Sequence, residues 1–96
     1  MEIIAVLEVF VGPGCDASNR ARDLFERMRQ AAIPGLETRL TDLSSPAATR
    51  PRSIFAVPTY TLNGRVISLG NPTEDCLLDL IQEVLGFQPS DQGAST

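Results

Sequence analysis

The sequence predicts an α/β fold built on a four-stranded mixed sheet in the order β-α-β-α-β-β-α, with helices on both faces. Three observations carry this expectation. A nearly unbroken apolar run over residues 3–11 suits a central strand covered on both sides. The run breaks sharply at Gly12-Pro13-Gly14 and is followed by apolar residues at helical spacing, the mark of a strand leading into a helix. Farther along, Asn63-Gly64 sits between two short segments and supplies the positive φ values that a tight antiparallel hairpin needs.

The elements follow in order. Ile3 to Val11 is apolar on both alternating faces except at Glu8. Ala17, Ala21, Leu24, Phe25, Met28 and Ala32 then define a helix from about Asp16 to Ala32, which Pro34-Gly35 stops. Its charges, Arg22, Asp23, Glu26 and Arg27, read as a solvated face supported by an Asp23 to Arg27 pair four residues apart. Leu36 to Leu43 alternates, with Glu37 and Arg39 on one side, as an edge strand guarded by charge does. A right-handed crossover through the helix makes it parallel to the first strand. Ser44 to Ala56, with Pro46 and Pro51, is expected to hold a short or irregular helix.

Tyr60 to Leu62 and Arg65 to Leu69 form the hairpin strands. Thr73 is the expected N-cap of a last helix running to Leu85, with Glu74 and Asp75 in its first turn and Leu77, Leu80, Ile81, Val84 and Leu85 as its apolar face. The polar stretch after Gly86 lacks apolar periodicity, so one domain over residues 1–86 and a flexible tail over 87–96 are expected.

Composition narrows the chemistry. With 96 residues the chain supports one core and one site. Its 43% hydrophobic and 21% charged residues are those of a folded soluble domain. A net charge of −4 argues against a nucleic-acid partner, whose phosphates call for clustered positive charge. All 8 basic residues are arginine, and the absence of Lys, His and Trp removes imidazole general bases, Schiff-base chemistry and imidazole metal ligation. No apolar run is long enough for a membrane helix, and no basic leader precedes the first one, so a cytoplasmic protein is expected. There the 2 cysteines are expected as free thiols, with no metal and no cofactor.

Cys15 is the candidate nucleophile. It falls where the helix begins, and the unpaired N–H groups and dipole of a helix start favour a thiolate. Ser18, three residues on, lies in the first turn with a hydroxyl able to donate to that sulfur, and it cannot form a disulfide. Asp16 opposes the activation. Cys76, beside Leu77 and Leu80, reads as a small buried hydrophobe. Glu8 is a carboxylate in a central strand and must be paired, placed at a strand end or shifted in pKa; a proton relay is its functional reading.

The segment Glu8-Val9-Phe10-Val11-Gly12-Pro13-Gly14-Cys15-Asp16-Ala17-Ser18 resembles the strand, loop and active site of small, glutaredoxin-sized thioredoxins of archaea and bacteria. Val57-Pro58-Thr59 is similar to that family's cis-proline loop, Asn63-Gly64 to its hairpin, and Gly70-Asn71-Pro72-Thr73 to the Gly-x-Pro junction before its last helix. Together these stretches run through residues 3–86 in the family's order. The resemblance implies a thioredoxin-like fold and a cis bond before Pro58, facing Cys15. It also implies substrate docking by strand addition at Val57, with Pro58 and Gly70 shaping the groove.

Two departures matter. Ser18 replaces the resolving cysteine, so the dithiol release step is missing. Asp16-Ala17 replaces the Gly-Pro of thioredoxins and the Pro-Tyr of glutaredoxins. Glutathione is a weaker expectation as a partner: Arg50, Arg52, Thr73 and Asp75 offer polar groups, but the glutaredoxin lysine and Gly-Gly pair are missing. The reading is a monothiol protein that forms mixed disulfides through Cys15 with a protein or peptide thiol or disulfide. The alternative is a non-catalytic protein-binding module that keeps only the groove.

Overall fold

The centre of the fold is a strand whose alternate residues face a pair of helices. The computed structural model describes residues 3–13, 16–45, 54 and 56–86. In β1 (Ala5–Val11), Ala5, Leu7, Val9 and Val11 are fully buried on one face. They pack with Ala21, Leu24 and Met28 of α1 (Asp16–Ala31) and with Leu77 and Ile81 of α2 (Glu74–Leu85). Burying the Val, Leu, Ile and Met side chains among them contributes about 1.5–3 kcal/mol each. This cluster is the main driving force for the fold.

Strand β2 (Leu36–Asp42) runs parallel to β1, with Ala5 opposite Leu36 and Val11 opposite Asp42. On the other side β3 (Thr59–Leu62) runs antiparallel, setting Leu62 opposite Leu7 and Tyr60 opposite Val9. A two-residue turn leads to β4 (Arg65–Leu69), and the sheet order is β2-β1-β3-β4. Both turn residues have positive φ, 53° at Asn63 and 82° at Gly64, as a two-residue hairpin requires. Asn63 also ties the hairpin to the first strand. Its N–H donates to the Val6 carbonyl and its side-chain oxygen accepts from the Val6 N–H, each at 2.9 Å.

The predicted central strand, parallel edge strand, hairpin and last helix are all present. Thr73 caps α2, its hydroxyl accepting from the Cys76 N–H at 3.1 Å, and Gly86 closes the helix at φ 67°. Glu37 and Arg39 pair on edge strand β2 at 2.6 Å. No helix among the described residues is long and apolar enough to cross a membrane. The second predicted helix falls mainly on residues 46–53 and 55, outside the described residues, as do Arg50, Arg52 and the tail over 87–96.

Four expectations are corrected. The first strand starts at Ala5, because Ile4 and Ala5 both donate to the Gly35 carbonyl and Ile3 and Ile4 stay more than half exposed. The Asp23 to Arg27 pair does not form; Arg27 reaches across to Glu74 of α2 at 3.6 Å. Val84 is exposed, and Leu78 packs against the core instead. Cys76 is exposed as well. A helix turns about 100° per residue, and with Leu77 and Ile81 facing inward the position before Leu77 is carried out to solvent.

The sheet face away from α1 and α2 carries Glu8, Phe10, Thr59 and Thr61. Phe10 and Ile54 are each only 2% exposed. Glu8 is the one charged residue of β1, and the Thr41 hydroxyl on the neighbouring strand donates to its carboxylate. Thus it is paired, the first of the three outcomes open to a carboxylate in a central strand.

Arg22 of α1 joins the helix to the sheet. It donates to Asp42 at 2.8 Å and to the Gly12 carbonyl at 3.4 Å. The Ser44 hydroxyl and backbone N–H, with Arg22, hold the Asp42 carboxyl below its ordinary value. A lowered folded-state pKa means that its stabilisation is complete above the unfolded value of about 3.9 and is lost as pH falls through the folded one. Accordingly, the urea midpoint of Asp42→Asn is expected below that of the unaltered protein at pH 6, with the gap narrowing steadily below about pH 4.

Candidate functional site

The site is organised around Gly12, the first residue past β1. Its N–H donates to Ser18 Oγ at 3.0 Å, and Ser18 is fully buried in the first turn of α1. On its other side a Cβ at Gly12 would stand 2.9 Å from Val57 Cγ2 and 4.0 Å from Ser18 Oγ. Glycine is therefore required by crowding. The strand end, the helix start and the loop of Val57 meet at one point, at the carboxyl end of a central strand, where α/β folds place their ligands.

The loop side is built from Val57 and Pro58, joined by a cis peptide bond, with Val57 half-buried and Pro58 buried. The Pro58 carbonyl accepts from the Gly70 N–H at 2.8 Å. Gly70 has φ 86°, a left-handed conformation that glycine adopts without strain, so the chain can turn from β4 back onto the loop. Beside it, Asn71 makes two bonds. Its amide nitrogen donates to the Ala17 carbonyl at 2.9 Å, and its oxygen accepts from the Tyr60 hydroxyl at 2.8 Å. Tyr60 is fully buried, and burial pushes its phenol up to about 12, so it remains a donor across the working pH range.

The structure thus brings together four of the residues singled out from sequence: Ser18, Val57, Pro58 and Gly70. Cys15 lies with Gly14 in the link between Pro13 and Asp16, outside the described residues. Ser18 is anchored by the Gly12 N–H, a bond the sequence did not predict. Thr73, a candidate for an anionic ligand, is committed to capping α2, and Asp75 is exposed on the same turn. Glu8 sits on the opposite sheet face from α1, and Cys76 stands on the outer side of α2.

Gly12, Asn71, Tyr60 and Arg22 are the site residues that sequence reasoning missed. Gly12 left a signal in the Gly-Pro-Gly break. Asn71 left none, because its partners Ala17 and Tyr60 are 54 and 11 residues away.

This arrangement defines the class: the chain has the thioredoxin fold. A mutant thioredoxin from Halobacterium salinarum NRC-1 superposes with a TM-score of 0.68 at 23% identity, over 85% of this chain and 75% of that one. In sequence, the chain is similar to a thioredoxin of Methanocaldococcus jannaschii, at 28% identity over 80 residues that span 82% of this chain and 94% of the relative. No protein-family model matches the sequence.

Proposed function

We propose that the chain is a monothiol thioredoxin-like protein that forms mixed disulfides through Cys15. The observation that supports this most is the meeting of Ser18, Val57 and Gly12 at the carboxyl end of β1, with Cys15 directly before α1 in the chain. The likeness to an archaeal thioredoxin supports thiol-disulfide chemistry at that point. Unpaired N–H groups at the start of α1 stabilise the Cys15 thiolate.

The thiolate attacks one sulfur of a protein or peptide disulfide. The Cys15–substrate S–S bond forms, the substrate S–S bond breaks, and the other substrate sulfur leaves as a thiolate. The groove at Val57 and Pro58 holds the substrate as an extended strand through the Val57 backbone. Ser18 carries no sulfur and cannot attack the mixed disulfide. An external small thiol, glutathione among the possible ones, therefore attacks the substrate sulfur, takes the substrate as a new disulfide and restores the Cys15 thiolate.

Mass spectrometry of the reduced protein after exposure to a disulfide-bonded peptide tests this, in a Cys76→Ser background because Cys76 is exposed. An adduct of one peptide thiol is expected, disappearing when Cys15→Ser is added. Peptide binding without adduct, undiminished in Cys15→Ser under reducing conditions, would establish the groove as a non-catalytic binding module and overturn the proposal.

A further inference from the structure

The proposed exchange needs the start of α1 and the loop of Val57 and Pro58 held in fixed relation, because the first carries the nucleophile and the second the substrate. Asn71 connects the two. Its backbone follows Gly70, whose N–H is bonded to the Pro58 carbonyl at 2.8 Å, and its side chain donates to Ala17 in the first turn of α1 at 2.9 Å. The orientation of the amide is dictated by chemistry. The Ala17 carbonyl only accepts, so the Asn71 nitrogen must face it, which leaves the oxygen for the Tyr60 hydroxyl at 2.8 Å. Tyr60 itself stands two residues past Pro58 and is locked in the core opposite Val9. Thus one side chain ties together the strand leaving the docking loop, the turn bonded to that loop and the first turn of the nucleophile's helix.

Resting on the function proposed above, we infer that Asn71 is a positioning residue: it holds the first turn of α1, the helix that follows Cys15 in the chain, in register with the docking loop. The bond from the Gly12 N–H to Ser18 ties α1 to the end of β1. Asn71 supplies the register to the substrate side. Its loss therefore leaves the thiol intact and misplaces it relative to a docked substrate, and small misplacements of reacting atoms cost rate steeply.

Two probes with one leaving group separate these effects. Each probe is attacked by the Cys15 thiolate and releases 5-thio-2-nitrobenzoate. One is the symmetrical aromatic disulfide of that thiol, too small to use the groove; the other is its mixed disulfide with a ten-residue peptide that carries a single cysteine. In a Cys76→Ser background, Asn71→Ala is expected to slow the peptide reaction about tenfold and to change the small-probe reaction by less than about twofold. Tyr60→Phe, which removes only the hydroxyl that donates to the amide oxygen, shifts the ratio the same way by a smaller factor. Adding it to Asn71→Ala changes nothing further, as expected for one network.

Amide exchange supplies a readout that does not depend on the exchange chemistry. The N–H groups of Arg20, Ala21 and Arg22, the first in α1 able to bond within the helix, should exchange about tenfold faster in Asn71→Ala, with Ile81 of α2 unchanged. Equal slowing of both probes, or unaltered amide exchange in the first turn, would overturn the inference. An unsubstituted protein that reacts with neither probe would overturn the proposed function instead, and the amide measurement then decides the role of Asn71 alone.

Discussion

Ser18→Cys is expected to remove the need for an external thiol in the release step of the proposed exchange. Ser18 occupies the first turn of α1, three residues along the chain from Cys15, and on the proposed chemistry a sulfur there attacks the Cys15 mixed disulfide. That attack expels the substrate thiolate and leaves an internal disulfide, which dithiothreitol reduces for the next cycle. An intramolecular step replaces one that had waited for an external thiol, and such replacements carry very large effective concentrations. Release of the peptide thiol from the preformed Cys15 mixed disulfide, with no external thiol added, should therefore rise by about a hundredfold or more. The substitution also has a structural cost. The thiol is a poorer acceptor than the hydroxyl that now takes the Gly12 N–H at 3.0 Å, so stability should drop by about 1 kcal/mol, seen as a lower urea midpoint. Release that stays at the level of the unaltered protein would mean that positions 15 and 18 do not form the proposed exchange pair.

Gly12→Val is expected to damage the site from the opposite direction, by adding atoms where there is no room. The first added carbon already meets Val57 Cγ2 at 2.9 Å, well inside ordinary contact, and Val57 is β-branched and stiff at χ1. The docking loop must move, or the end of β1 must. Overpacking of this kind costs about 1–3 kcal/mol. The loss should come with a peptide-exchange rate lowered by about tenfold, because the displaced residue is the one whose backbone is proposed to receive the substrate. A Tm and a peptide rate equal to those of the unaltered protein would show that Val57 yields freely and does not shape the groove.

Much of the architecture was legible because it is written in local patterns. The alternation in Leu7, Val9 and Val11, the helical spacing of Ala21, Leu24 and Met28, and the Asn63-Gly64 pair each act over a few residues, and the structure uses them as read. The termini of elements were less legible, since they depend on partners far along the chain. Ile3 and Ile4 have strand-like side chains, yet the Gly35 carbonyl takes the N–H groups of Ile4 and Ala5 and delays the ladder to Ala5.

The same distinction runs through the site. Ser18 and Val57 were found through the resemblance to thioredoxins, and their common contact with Gly12 was not, because two segments 39 residues apart must fold before they crowd one glycine. Charge patterns misled in one place. Asp23 and Arg27 have the spacing of a helical pair, but Glu74 of α2 lies within reach of Arg27 across the packed helices and takes its place. Cys76 misled in another, since the buried Leu77 next to it in sequence lies about 100° round the helix.

The proposed exchange requires Cys15 to act as a thiolate just before α1. The rate of its alkylation by iodoacetamide between pH 5 and 10, in a Cys76→Ser background, tests that claim most directly. A single titration with an apparent pKa clearly below the free-cysteine value of about 8.5 is the predicted result. An apparent pKa at or above that value would contradict the account.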